Sequence, residues 1–319
     1  MKLKNLISLI LLFSSLSAFS QATIPQLLKN IPINVVAPAS GADSKTLSDL
    51  KSIKTLNLNM PAKCFSKGDL PFLASTDEIR FNCLKDALYN ESSNIVWSLR
   101  GGYGSARLIP DLLKLPKPNK KKFFIGYSDI TALHLFLSQE WGWKTIHGTN
   151  VAGLLKPEQD QGNFIKLAEI LQGKVKQAVI NDLAALNNVA KPTELVSGKL
   201  TGGNLTMVLS SIGTRWQIKT ADKILFLEDI NVAPYQLDRA LIQLKQAGLL
   251  ENIKAIIFGT FDKDSKLTML VLRNFANNLK VPVFKTDRFG HKKINDPIIY
   301  NTDSKIIGNG EKFKLIMDL

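Results

Sequence analysis

The chain has 319 residues, 45% of them hydrophobic and 21% charged, and a formal net charge of +14. That length can bury the cores of two modest domains, and no low-complexity tract is present, which excludes a disordered or fibrous protein. The positive balance favours anionic surroundings: nucleic acid, a membrane surface or an anionic polymer.

The N-terminus reads "MKLKNLISLILLFSSLSAFSQA". Lys2 and Lys4 precede an apolar stretch from Leu6 to about Leu16, and small residues follow, with Ala18 and Ser20 placed for cleavage after Ser20. This is the layout of a secretory signal peptide over residues 1–20. The stretch is shorter than the roughly 20 apolar residues a membrane helix needs. An exported, periplasmic protein is expected, and nucleic acid is then excluded as a partner. Cleavage removes two lysines and no acid, taking the charge from +14 to about +12. Cys64 and Cys83 could pair in an oxidising compartment. Neither has a metal-type partner nearby, and no metal or cofactor motif occurs, so none is expected.

Short apolar runs follow in order: "PINVVAPAS" (32–40), "NIVWSLRGG" (94–102), "KKFFIGYSD" (121–129) and "KTIHGTN" (144–150). Helical patterns lie between them at 44–58 and 75–89, the second opened by the cap candidates Ser75 and Thr76. Strands apolar throughout, alternating with helices, predict a parallel sheet covered on both faces. The lysine run "KLPKPNKKK" (114–122) reads as a solvated loop before a buried strand.

From Gln159 to Pro192 the pattern becomes a helix and a polar connection. Beyond it come "KILFLEDI" (223–230), "AIIFGTF" (255–261), "VPVFKTDRFGH" (281–291) and closing strands, with one clear helix at 234–250. The expected organisation is an α/β N-terminal domain over 24–158, a connecting segment over 159–196 and a β-rich α/β domain over 197–319. A homodimer is possible, and the sequence does not decide it.

"FFIGYSDITALHLFL" (123–137) places Ser128 and Asp129 at a strand-to-helix junction. Open parallel sheets bind ligands beyond the carboxyl ends of their strands. Ser128 could be a plain helix cap. It could also be a nucleophile, with the amide of Asp129 helping to hold an oxyanion, although G-Y-S-D is not G-x-S-x-G. A serine nucleophile needs a base and an acid that orients it. Of three histidines, His134 sits among apolar neighbours and reads as core. His147 ends a strand and could line the cleft. His291 follows Phe289 and Gly290 on a loop and suits a presented, mobile base. Glu228 or Asp229, at the end of "KILFLED", could be the acid. "RGGYG" (100–104) fits a phosphate loop poorly, whereas an oxyanion donor at Gly102 fits the serine.

Taken together, "VVAPAS", "RGGYGSARLIPDL", "GYSDITALH", "TGGNLT", "LFLEDINVAPYQLDRAL", "GTF" and "FGHKKIND" resemble the serine LD-carboxypeptidases. This is the family of muramoyltetrapeptide carboxypeptidases and the related microcin C immunity peptidases, and the similarity runs from about Ile33 to Leu319. The resemblance implies a flavodoxin-like N-terminal domain, a β-rich C-terminal domain and an active site at their interface. It implies Ser128 as nucleophile, His291 as base and Glu228, not Asp229, as orienting acid, with oxyanion N–H groups from Asp129 and Gly102. Arg100, Tyr127, His147 and Asn204 are the candidate substrate-binding residues. The implied reaction removes the terminal D-alanine from peptidoglycan stem tetrapeptides or muropeptides through an acyl-enzyme. The chain departs from the family in lacking a proline after "HG" and in carrying Arg215 within "GTRW".

Two other readings remain to be tested. "SDLK" (48–51) satisfies the S-x-x-K of penicillin-binding peptidases, but "KTA" (219–221) is not K-T-G. An exported peptide- or solute-binding protein would share the two-lobed cleft without an activated hydroxyl.

Overall fold

A computed structural model describes residues 27–319, apart from 67, 69, 262–264 and 310–311. The expected signal segment, residues 1–20, lies outside the described residues. The N-terminal lobe is a six-stranded sheet. Its strands are β1 (Pro32–Val36), β2 (Asn57–Asn59), β3 (Ile95–Ser98), β4 (Phe123–Gly126), β5 (Ile146–His147) and β11 (Ile298–Ile299), in the order β2-β1-β3-β4-β5-β11. The first five are parallel, in the flavodoxin-like order, and β11 adds antiparallel to β5. β3 is buried along its whole length, as expected of a strand covered on both faces.

Helices α1 (Ser44–Ser52), α2 (Asp77–Tyr89), α3 (Ile109–Leu112), α4 (Thr131–Gln139) and α5 (Gln161–Leu171) accompany this sheet. The α1 helix stops at Ser52, short of the expected 58, because "NLN" at 57–59 pairs with β1 as the edge strand β2. Asp43 caps α1 and Thr76 caps α2, each side chain accepting a backbone N–H of the first turn. The α2 helix is tied to the preceding loop by a Cys64–Cys83 disulfide.

The second lobe is a closed barrel. Its strands are β6 (Gln177–Ala185), β7 (Val196–Asn204), β8 (Lys223–Asp229), β9 (Ala255–Phe261), β10 (Val283–Lys285), β12 (Asp303–Asn309) and β13 (Lys312–Asp318). β7 to β10 run parallel, while β12, β13 and β6 close the ring antiparallel. The expected connecting segment over 159–196 is therefore no connector. β6 is a barrel strand hydrogen-bonded to β13 and β10, so the second lobe starts some twenty residues earlier. Outside the barrel, α6 (Leu205–Ser210), α7 (Pro234–Gln246) and α8 (Lys266–Asn277) make three helices where one was expected.

The lobes are joined by backbone as well as side chains. The Tyr300 N–H donates to Thr145 O, its hydroxyl to Gly202 O, and the Asn204 N–H to Thr131 Oγ1. Gly203 is required at this seam, since a Cβ there would lie 2.4 Å from the Tyr300 hydroxyl. His134 is core, as read from the sequence. Its ring stacks on Tyr300 and bonds Thr145 Oγ1 and Gly126 O, and burial depresses its pKa to about 4.

Candidate active site

The carboxyl ends of β1, β3, β4 and β5 open onto one cavity of about 410 Å³. Its walls include Asp43 after β1, Arg100 to Gly102 after β3, Tyr127 and Ser128 after β4, Lys156 after β5, and His291 from the barrel lobe. This is the crevice where a doubly wound sheet is expected to take its ligand. Ser128 sits there with φ +67°, a left-handed conformation rare for a residue bearing a Cβ. A strained serine between a strand and a helix is the geometry of a nucleophile elbow, and such strain clusters at functional sites. Gly101 makes room for it, because a Cβ on Gly101 would lie 2.8 Å from the Ser128 Cβ. Gly102 lines the cavity at φ +106°, and a Cβ there would lie 2.2 Å from Ser40 Oγ.

Ser40 and Asp129 hold this glycine loop from two sides. The Ser40 hydroxyl donates to Phe72 O and accepts the Tyr103 N–H. The Asp129 carboxylate, buried beneath Ser128, accepts the Gly104 N–H at 3.2 Å and the Ser105 N–H at 2.8 Å. The Ser105 hydroxyl returns a bond to Asp129 O at 2.6 Å. Burial raises the Asp129 pKa, and the bonds from Ser105 and Gly104 oppose the rise. Sequence reasoning missed Arg80, which is buried on α2. Its guanidinium donates to Gly104 O at 3.0 Å and to Pro38 O, and it pairs with Asp77. Gly104 is thus gripped by Asp129 at its N–H and by Arg80 at its carbonyl. No sequence signal marked it, because the loop it grips reaches it only in the fold.

The barrel supplies a histidine–carboxylate pair. Glu228, next to last on β8, is fully buried, and its Oε2 meets His291 Nδ1 at 2.6 Å. Asn204, at the end of the adjacent strand β7, donates to Glu228 Oε1 at 3.4 Å and to Asp229 Oδ1 at 2.9 Å. Asp229 points elsewhere: its carboxylate also accepts the N–H groups of Thr206 and Ile230 and the Thr206 hydroxyl. That separates the two acids which sequence spacing had left open. His291 is not on the free loop tip that was expected. A Cβ on Gly290 would lie 2.2 Å from Thr260 Oγ1, and the Gly290 N–H is held by Asn295 Oδ1. The same loop is bonded to Asn163 on α5 through Asn295 N and Lys293 O.

Among the candidate substrate residues, Arg100 and Tyr127 line the cavity. The Tyr127 ring lies 4.9 Å from that of His291, and burial raises its hydroxyl to about 12. The other two do not reach the cavity. His147 is wholly buried behind Tyr127, between Phe226 and Phe289, and burial holds its pKa well below the usual range. Its place at the end of β5 puts it under the cavity floor. Asn204 is buried as the cap of α6, where its side chain orders the two acids. Sequence reasoning also missed Asp43 and Lys156, charged wall residues on loops without motif. Ser48 and Lys51, the S-x-x-K pair, are exposed on α1.

A strained serine at the edge of a flavodoxin-like sheet, sharing a cavity with a barrel-borne histidine and its buried glutamate, defines a two-lobed serine hydrolase. The N-terminal domain of LD-carboxypeptidases matches residues 33–148, and the C-terminal domain of the same family matches residues 197–306. A Rickettsia conorii protein with a provisional carboxypeptidase name is 73% identical over 317 residues, 99% of each chain. The murein tetrapeptide carboxypeptidase of Pseudomonas aeruginosa is 27% identical over 87% of this chain and 93% of its own. The crystal structure of muramoyltetrapeptide carboxypeptidase from Oxalobacter formigenes superposes with a TM-score of 0.77. It is 25% identical and covers 90% of this chain and 99% of its own. The chain belongs to the LD-carboxypeptidase family and is a serine-type carboxypeptidase.

Proposed function

We propose that the protein is exported to the periplasm and removes the terminal D-alanine from peptidoglycan stem tetrapeptides through an acyl-enzyme on Ser128. The observation that carries this reading is the Glu228–His291 contact, placed on the same cavity as the strained serine. Glu228 accepts the Nδ1 proton of His291, which leaves Nε2 as the base. His291 takes the Ser128 proton as Oγ attacks the carbonyl before the terminal residue. The oxyanion is received by the N–H groups of Asp129 and Gly102. The C–N bond then breaks as His291 returns the proton to the departing amine. Water, activated by the same imidazole, releases the shortened peptide.

The cavity wall suits a carboxypeptidase, because Arg100 and Lys156 place two cations where a peptide bearing several carboxylates would lie. Among the described residues Arg100 Nη1 donates only to Gly41 O, at 3.3 Å, which leaves most of its donors for a substrate carboxylate. The Cys64–Cys83 disulfide supports export, since such bonds persist outside the reducing cytoplasm. The test is to incubate purified tetrapeptide and pentapeptide muropeptides with the protein and weigh the products. Loss of one alanine from the tetrapeptide supports the reading. Binding of either peptide without mass change would make the protein a peptide-binding relative instead.

A further inference from the structure

At the opposite end of the N-terminal sheet, by the amino ends of β3, β4 and β5, lies a second concavity, of about 480 Å³, lined by Lys120, Lys121, Lys122, Lys144 and Lys199 with Asn94 and Asn301. The five lysines come from both lobes: the loop before β4, the loop before β5, and β7. Among the described residues none of the five is paired with a carboxylate, whereas Lys45, Lys191 and Lys312 each have one. Lys122 is buried, and its ammonium is fixed in the floor by the carbonyls of Asn90 and Ser93. Burial first, then the charge of Lys120, lowers its pKa to about 8. Glu91 opposes the Lys122 shift only as the smallest of its causes, and like charges gathered with so little counter-charge are unfavourable unless an anion completes them.

We propose that this lysine face docks on the phosphate headgroups of an anionic membrane. Two observations favour that occupant. The cations are point-charge ammonium groups spread over several elements, with no arginine fork to chelate a single phosphate, which suits a surface of many anions. No aromatic side chain is exposed around the concavity for stacking a nucleic acid base, Phe123 being half-buried. Docked this way, the Ser128 cavity at the far ends of β3 and β4 faces away from the bilayer. The inference does not rest on the peptide specificity proposed above.

The experiment is sedimentation of the full chain with vesicles of phosphatidylglycerol and phosphatidylcholine, set against phosphatidylcholine alone. The N-terminal apolar stretch contributes to both, so the difference reports the charge. Wild type should prefer the anionic vesicles by about tenfold or more, and the K120Q/K121Q/K144Q variant should lose that preference. The K45Q/K191Q/K312Q variant, with the same net charge but the concavity intact, should keep it, and both variants should retain hydrolytic activity. Equal loss in the two variants would reduce the effect to net charge and overturn the site. So would an unchanged preference in the first variant. Abolition of the preference by inorganic phosphate at constant ionic strength would make free phosphate the ligand and overturn the membrane assignment.

Discussion

The two lobes hold their shares of the active site by different physical means. On the sheet side almost everything is backbone: Ser128 at φ +67°, glycines that admit it, and a loop whose amides are gripped by Asp129 and Arg80. On the barrel side the work falls to side chains, with Glu228 and Asn204 at the ends of neighbouring strands and His291 bonded to the first. The contrast teaches where each half is vulnerable. The serine half fails when a loop relaxes, and the histidine half fails when one polar contact is lost.

The largest effect should come from deleting the group that each side contributes. Ser128→Ala and His291→Ala should each lower kcat by about 10⁴- to 10⁶-fold, and the double variant should fall little further. Additive losses in the double variant would mean that the two do not act as a unit. Next, Glu228→Gln should lower kcat by about 10⁴-fold through misorientation of the imidazole. Asp229→Asn, one residue along, should stay within about tenfold in kcat. It should lose about 1–3 kcal/mol of stability in urea unfolding, because its carboxylate serves four donors at the start of α6. Equal kinetic losses in both would erase the distinction drawn between the two acids.

A smaller effect tests the backbone side. Arg80→Lys keeps the charge but loses the fork that holds Gly104 O and Pro38 O through Nη1 while pairing with Asp77 through Nη2. It should lower kcat by roughly 10- to 100-fold with KM little changed, since the proposed oxyanion loop would act on the transition state. A proportionate rise in KM would assign Arg80 to substrate binding instead. The smallest effect is on stability alone, at the seam between the lobes. His134 titrates near 4 in the fold and near 6.5 unfolded, so the unfolded chain binds its proton first. Its contribution is complete above about pH 6.5 and is lost as pH falls through 4, by roughly 3 kcal/mol in all. His134→Gln should flatten that limb of the stability profile in urea melts taken between those pH values.

The sheet lobe was far more legible than the barrel. Strands apolar on both faces announce a parallel sheet, and β1, β3 and β4 all lie inside the runs that the sequence marks. The barrel hid its start because β6 carries a bulge. Asp182 sits at φ +63°, and the buried residues Ile180 and Leu183 fall three apart, which breaks the period-two pattern. The α8 helix hid because Leu267 and Leu270 point outward, blurring the stripe made by Thr268, Leu272, Phe275 and Ala276. At the site, Ser128 and the pair Glu228 and Asp229 could be read as candidates because polar residues closing an apolar run are conspicuous, and only the family resemblance singled out Glu228. The same rule misplaced His147, which also ends a strand but is capped by Tyr127. Arg80 could not be read at all, since its role depends on a loop that approaches it only in the fold.

Activated-serine labelling tests the account most directly. A fluorophosphonate should modify Ser128 alone, at one equivalent per chain, and His291→Ala should abolish the labelling while the fold remains intact by circular dichroism. Modification at Ser48 or another hydroxyl, or full labelling without the imidazole, would contradict a nucleophile in one lobe activated by a base in the other.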